Sequence, residues 1–200
     1  MKAPLLVAAA KILTGVNVRW VNCQPNIRQR VYFANHTSHL DILVLWAALP
    51  SEIRAVTRPA AAKDYWEVGK IRSYLAREVL NAVLIERKKV SKRHNPIELL
   101  LHAMGGRYSL ILFPEGTRSI GQKIGPFKSG LYYLSRRKPE LELIPVYIEN
   151  LNRILPKQEF LPVPILSSIS FGPPLRVMQK ETKAAFLERA RNAVYGLKGS

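Results

Sequence analysis

Short, β-rich apolar runs alternate with stretches of helical periodicity along this chain, and that alternation limits the available folds more than any other feature. Val31–Ala34, Ile53–Thr57, Val83–Ile85, Ser109–Phe113, Leu143–Ile148 and Ile165–Phe171 read as strands. Leu40–Leu49, Lys70–Leu80, Pro96–Met104, Ser129–Arg137 and Lys180–Leu197 read as helices. The third helix carries its own punctuation, with Asn95 as cap, Pro96 in the first turn and Gly105-Gly106 as the stop. Strands alternating with helices give an α/β fold, a mixed and largely parallel sheet flanked by helices. With 200 residues, 48% of them hydrophobic, and no internal repeat, a single domain over residues 1–200 accommodates the chain. Pro156, Pro162 and Pro164 mark Ile154–Pro164 as a surface loop.

Charge narrows the partners. Thirty-one Lys and Arg against fourteen Asp and Glu leave a net +17, a surface that attracts polyanions. Nucleic acid, an anionic membrane face and an acidic carrier protein all fit that charge. The chain has neither zinc-finger spacing nor an aromatic ribonucleoprotein-type block, so no nucleic acid is expected. Cys23 is the lone cysteine, which leaves no internal disulfide and no Cys-x-x-Cys zinc cluster. It reads as a small buried apolar residue.

The stretch Met1–Leu13 holds an apolar run from Ala3 to Ala10 between Lys2 and Lys11. A bilayer span needs about 20 apolar residues, so the run is too short to cross. Two readings stand. Leu5, Leu6, Ile12 and Leu13 dip into lipid as an interfacial helix, or the helix packs on the protein's own core. Residues 1–25 are assigned on the first reading as a membrane-interface segment. A signal peptide is the less favoured third reading.

The first polar cluster is Asn35-His36-Thr37-Ser38-His39-Leu40-Asp41, directly after the first strand. Ligands in α/β sheets bind beyond the carboxyl ends of strands. His36 and Asp41 are five apart, which on one helix turns them about 140° out of alignment. They meet only if His36 lies on the loop and Asp41 in the helix's first turn, and Ser38 is a suitable N-cap for that break. Ser38-x-x-Asp41 equally resembles a capping box, which accounts for Ser38 and Asp41 but not for His36. His39 is either a second lining residue or an exposed histidine. A metal site on His36, His39 and Asp41 lacks a further ligand set, so no metal is expected.

The second cluster is Phe113-Pro114-Glu115-Gly116-Thr117-Arg118-Ser119, after the fourth strand. It places a carboxylate, a backbone able to approach a ligand, a hydroxyl and a guanidinium at one rim. An ordinary βα turn with an internal Glu115–Arg118 pair is the bland alternative. Gly121-x-x-x-Gly125-x-x-Lys128-Ser129 has the outline of a phosphate loop, but Phe127 rather than Gly precedes Lys128. Lys128 is kept as a candidate for phosphate or donor groups, beside its reading as a solvated lysine.

Asn-His-x-x-x-x-Asp followed about seventy residues later by Phe-Pro-Glu-Gly-Thr-Arg-Ser resembles the 1-acyl-sn-glycerol-3-phosphate acyltransferase family. Two further blocks resemble it less closely. Val83-Leu84-Ile85-Glu86-Arg87 is similar to the strand whose Arg contacts the acceptor phosphate, although Asn81 stands where the family has Gly and that loop is expected to differ. Ile144-Pro145-Val146-Tyr147-Ile148 is similar to the last block. The resemblance implies acyl transfer from a thioester, on acyl carrier protein (acyl-ACP) or coenzyme A (acyl-CoA), to a glycerol hydroxyl of a lysophospholipid. It implies His36 as general base, Asp41 as its orienting carboxylate, and Arg87 and Arg118 on the phosphate. Glu115 would order the pocket, and backbone N–H groups near Gly116 would face the oxyanion. Glu115, Gly116, Thr117, Arg118 and Lys128 complete the substrate-binding set, and no cofactor is required. The acceptor stays open between lysophosphatidate, glycerol-3-phosphate and another lysolipid. The implied location is the cytoplasmic face of the membrane, peripheral or monotopic, against anionic lipid. Two other classes remain: a basic membrane- or nucleic-acid-binding module without activity, and a thioester hydrolase using the same His–Asp pair.

Overall fold

A computed structural model of the protein describes residues 8, 15–86, 95–119, 123–149 and 167–199. Arg87, the loop 154–164 and most of the 1–13 stretch lie outside the described residues. The elements in chain order are β1 Asn17–Trp20, β2 Arg30–Ala34, α1 Asp41–Ala48, α2 Ser51–Ala55, β3 Thr57–Ala62, α3 Lys63–Trp66 and α4 Lys70–Tyr74. After α4 come a π-helical turn at Leu75–Val79, β4 Val83–Ile85, α5 Pro96–Met104, β5 Ser109–Leu112, α6 Gly130–Arg137, β6 Glu142–Glu149, β7 Ser168–Phe171 and α7 Lys183–Tyr195.

The strands form one sheet in the order β1-β7-β6-β2-β5-β3-β4. β6, β2, β5, β3 and β4 are parallel neighbours. β7 runs antiparallel to β6, and β1 parallel to β7. β2 sits at the centre and every one of its residues is buried, the mark of a parallel strand covered on both faces. Its alternation divides the core. Tyr32 and Ala34 pack with Leu45 and Trp46 of α1. Val31 and Phe33 pack on the other face with Leu100 of α5, Leu134 of α6 and Phe186 of α7. The result is a three-layer α/β fold with the carboxyl ends of β2, β5, β3 and β4 at one rim.

Several elements differ from the sequence reading, among them α3, where no helix was expected. Ile53 lies in α2 and is buried there; the strand expected at Ile53–Thr57 begins only at Thr57. Pro59 interrupts the pattern a strand would show, yet it has a suitable place. β3 pairs with β5 from Thr57 to Pro59 and with β4 from Ala60 to Ala62, so the missing N–H falls where one ladder gives way to the other. The helix expected at Lys70–Leu80 is α-helical only to Tyr74 and widens into the π turn. β1, with half-exposed Val18 and Trp20 alternating with Asn17 and Arg19, was not expected; it places residues 17–20 of the 1–25 segment in the sheet. The punctuation of α5 holds: Asn95 Oδ1 accepts the Ile97 N–H at 2.9 Å, and Gly105 takes φ +48°.

Candidate active site

β2 passes the chain to Asn35, whose buried amide clasps Ile148 of β6. Its Nδ2 donates to the Ile148 carbonyl at 2.9 Å and its Oδ1 accepts the Ile148 N–H at 2.8 Å. That clasp fixes the start of the loop carrying His36. The imidazole lies against the Phe113 ring, centroids 4.4 Å apart, with the side chain 19% exposed.

Asp41 opens α1 and is fully buried. A single oxygen, Oδ2, lies 2.8 Å from His36 Nδ1, 2.7 Å from the Thr37 N–H and 2.9 Å from the Ser38 N–H. The two amides can only donate, so Oδ2 is an acceptor and Nδ1 brings the third proton. In the neutral imidazole this tautomer leaves Nε2 with its lone pair. The same oxygen thus orders the loop ahead of the helix and pairs with the imidazole, while the helix itself has no side-chain cap. The expected cap shifts: the helix starts at Asp41 with Leu40 in the N-cap position, and Ser38 Oγ accepts the Leu40 N–H at 3.2 Å instead of an amide one turn in.

Glu115, on the turn after β5, is buried and joins two loops. Oε1 accepts the His36 N–H at 2.8 Å, Oε2 accepts the Gly125 N–H at 2.8 Å, and the Ser119 hydroxyl also bonds Oε2. The Ser119 N–H returns to the His36 carbonyl at 2.8 Å. Gly116 takes φ +70°, and its N–H donates to the Phe113 carbonyl at 3.0 Å inside the turn. An oxyanion donor near this position is therefore not the Gly116 N–H itself. The Lys128 side chain lies across Gly116, where a Cβ would come within 2.7 Å of Nζ.

These residues edge a groove of about 730 Å³ at the sheet's carboxyl rim. His36, His39, Thr117, Arg118 and Lys128 line its polar part; Ile42, Ile85, Leu100, Leu112 and Leu131 line the rest. Arg87 lies outside the described residues, but its neighbour Glu86 lines the groove. Sequence reasoning left His39 open. It is half-buried, stacked on Tyr65 at 3.8 Å with the planes 5° apart, and the Arg72 guanidinium lies 4.5 Å from the Tyr65 centroid. Burial first, then the charges of Arg118, His36 and Arg72, push the His39 pKa down to about 4. Among the described residues, no three His, Cys, Asp or Glu side chains are grouped to hold a metal ion. Asn81 has φ +47° and its carbonyl accepts Arg58 Nε at 2.9 Å. Asn tolerates the left-handed region better than most residues, which explains how it stands where the family has Gly.

Sequence reasoning passed over Asn35, Tyr65 and Arg72. For Asn35 the signal was present: an amide immediately between a strand and a candidate base. For Tyr65 and Arg72 it was absent, because their meeting with His39 depends on how α3 and α4 fold back after β3.

The model of the Acyltransferase family matches residues 16–149. The chain belongs to the acyltransferase family. The matched region of this acyltransferase runs from the start of β1 to the end of β6, so both loops that build the site lie within it. The chain is 28% identical over 137 residues to the 1-acyl-sn-glycerol-3-phosphate acyltransferase of Escherichia coli, covering 62% of this chain and 51% of that protein. It is 28% identical over 158 residues to 1-acyl-sn-glycerol-3-phosphate acyltransferase alpha of Mus musculus, covering 78% and 53%. The chain spans about half the length of the curated relatives it matches. The crystal structure of the 1-acyl-sn-glycerophosphate acyltransferase PlsC from Thermotoga maritima shares the fold, with a TM-score of 0.74 at 19% identity over 98% of this chain and 78% of that one. Among the described residues, no helix is long and apolar enough to cross a membrane.

Proposed function

We propose that the protein transfers a fatty acyl chain from an acyl thioester to the free glycerol hydroxyl of lysophosphatidate, giving phosphatidate. The observation that carries this reading is the His36–Asp41 pair, with His36 lining a groove whose walls also carry Ile42, Ile85, Leu100, Leu112 and Leu131. The acyl chain occupies the apolar part. The acceptor phosphate lies at Arg118 and Lys128, with Arg87 as a third cation on the strength of the family resemblance. The names of the relatives support lysophosphatidate over the other acceptors.

His36 Nε2 takes the proton of the acceptor hydroxyl as its oxygen attacks the thioester carbonyl carbon. Asp41 Oδ2 holds Nδ1–H and stabilises the imidazolium that results. The tetrahedral intermediate collapses with cleavage of the C–S bond, and the departing thiolate takes the proton back from Nε2. The nucleophile belongs to the substrate, in keeping with a sequence that has no Gly-x-Ser-x-Gly elbow. Glu115 positions the loops and exchanges no proton. The net +17 suits both carriers, acyl carrier protein and coenzyme A, and a peripheral seat on an anionic membrane face.

The test is acyl transfer by the purified protein, with a long-chain acyl thioester and either lysophosphatidate or glycerol-3-phosphate in anionic vesicles, beside His36→Ala. Transfer to lysophosphatidate, lost in the variant, is expected. Free fatty acid as sole product would replace the reading with a hydrolase; turnover retained by His36→Ala would end the general-base assignment.

A further inference from the structure

Three exposed apolar side chains fall within seven residues of sequence, on the segment that follows the groove wall, and the proposed chemistry gives them no task. Val68, Ile71 and Tyr74 are 60%, 78% and 41% exposed. Val68 precedes Gly69, the N-cap of α4, and Ile71 and Tyr74 are three apart on α4, on neighbouring positions of one face. Single apolar residues on a surface need no explanation, but two on one helix face with a third just before its N-cap call for one.

Its position is fixed by the groove. α3 follows β3 without a break, and its Tyr65 and Trp66 line the groove wall. The Arg72 guanidinium, on α4, lies over the Tyr65 ring. The helix bearing Ile71 is therefore tied to the groove's edge by the residue next to Ile71. The patch is bordered by exposed Lys70, and the chain as a whole carries +17. Apolar side chains and a tyrosine beside cations are what an anionic lipid–water interface accommodates: the aliphatic groups enter the acyl boundary, and the tyrosine hydroxyl and the cations stay at the headgroups.

We propose that Val68, Ile71 and Tyr74 seat the protein on an anionic bilayer with the groove opening toward the lipid. This deepens the proposed function, because a lysolipid and a long acyl chain would then pass from bilayer to groove along the Tyr65 wall. Its test uses no substrate, so it fails or succeeds apart from the reaction.

The experiment is sedimentation with vesicles of phosphatidylglycerol and phosphatidylcholine. Val68→Glu/Ile71→Glu is expected to lower the partition coefficient about tenfold or more, with the melting temperature unchanged because both side chains are exposed. A second measurement places an environment-sensitive dye on Ile71→Cys in a Cys23→Ser background. A blue shift on adding vesicles is expected. Unchanged partitioning of the double variant, or no shift of the dye, would overturn the assignment. A shift that appears without lipid as protein concentration rises would give the patch to a second copy, and one produced by acyl carrier protein alone would give it to that partner; either outcome also overturns it.

Discussion

The backbone N–H of His36 donates to Glu115 Oε1 at 2.8 Å across 79 residues of sequence, so the loop presenting the imidazole hangs from the other motif's carboxylate. Glu115→Ala removes the acceptor for His36, Gly125 and Ser119 together. Hydrogen bonds to a charged group contribute roughly 1.5–3 kcal/mol each and are not additive, so a loss of about 3 kcal/mol is expected. Thermal melting should fall by about 6–12 °C in a chain of this size. Glu115→Gln keeps one acceptor oxygen but turns an NH₂ toward a donor, and should recover only part of the loss. A melting temperature unmoved by Glu115→Ala would remove Glu115 from this role.

Asp41 separates catalysis from ordering of the catalytic loop by choice of substitution. Asp41→Asn retains an oxygen for the Thr37 and Ser38 amides but not the charge that stabilises an imidazolium. Turnover should fall about 10²–10⁴-fold with little change in melting. Asp41→Ala leaves those donors without their acceptor and should lose both turnover and stability. The comparison needs only kcat and a melt on each variant.

Gly116→Ala meets two obstacles. Its φ of +70° costs a residue with a Cβ about 1 kcal/mol, and the new methyl displaces Lys128. A melting decrease of about 2–4 °C is expected. A raised KM for the phosphate-bearing substrate should accompany it if Lys128 binds that group; an unchanged KM would return Lys128 to the solvated surface.

His39 links stability to pH. Its pKa in the folded protein is about 4, below the ordinary 6.5. Between those values the unfolded chain binds a proton that the folded chain does not, so stability falls as pH drops from 6.5 toward 4. His39→Phe keeps a ring to stack on Tyr65 and removes the titration. The urea midpoint of the wild type should therefore fall further between pH 7 and pH 4.5 than that of His39→Phe. Equal falls would place the acid sensitivity elsewhere.

Arg118→Ala should raise the KM of the acceptor more than that of the thioester, as loss of a phosphate contact does. An unchanged acceptor KM would take Arg118 out of the phosphate site.

The central parallel strands were legible because burial on both faces demands unbroken apolar runs. Val31–Ala34 and Leu143–Ile148 sit in the sheet as read, and Ser109–Phe113 does so up to Leu112; the short edge strand Val83–Ile85 was legible as well. β3 was not, since Thr-Arg-Pro-Ala-Ala-Ala has little strand character and gains its pairing from two neighbours in succession. β1 escaped because an edge strand of four residues with alternate polar positions resembles a loop. At the site, the spacing of His36 and Asp41 stated in advance the one geometry in which they meet: base on the loop, carboxylate in the first turn. That both motifs converge through Glu115 was beyond reach. Sequence places a carboxylate in a turn but gives no sign of which amide, 79 residues earlier, it accepts.

The reversal of β7 and β1 relative to the other five strands bears on where the chain enters and leaves the sheet. Because β1 runs the opposite way, the chain reaches Asn17 at the same rim from which β2 delivers His36. α7, by contrast, finishes near Gly172, below that rim, where Leu197 closes on Gly172. The amino end of β1 and the catalytic loop thus open at one rim of the sheet, three strand positions apart, while the chain after α7 leaves from a different level.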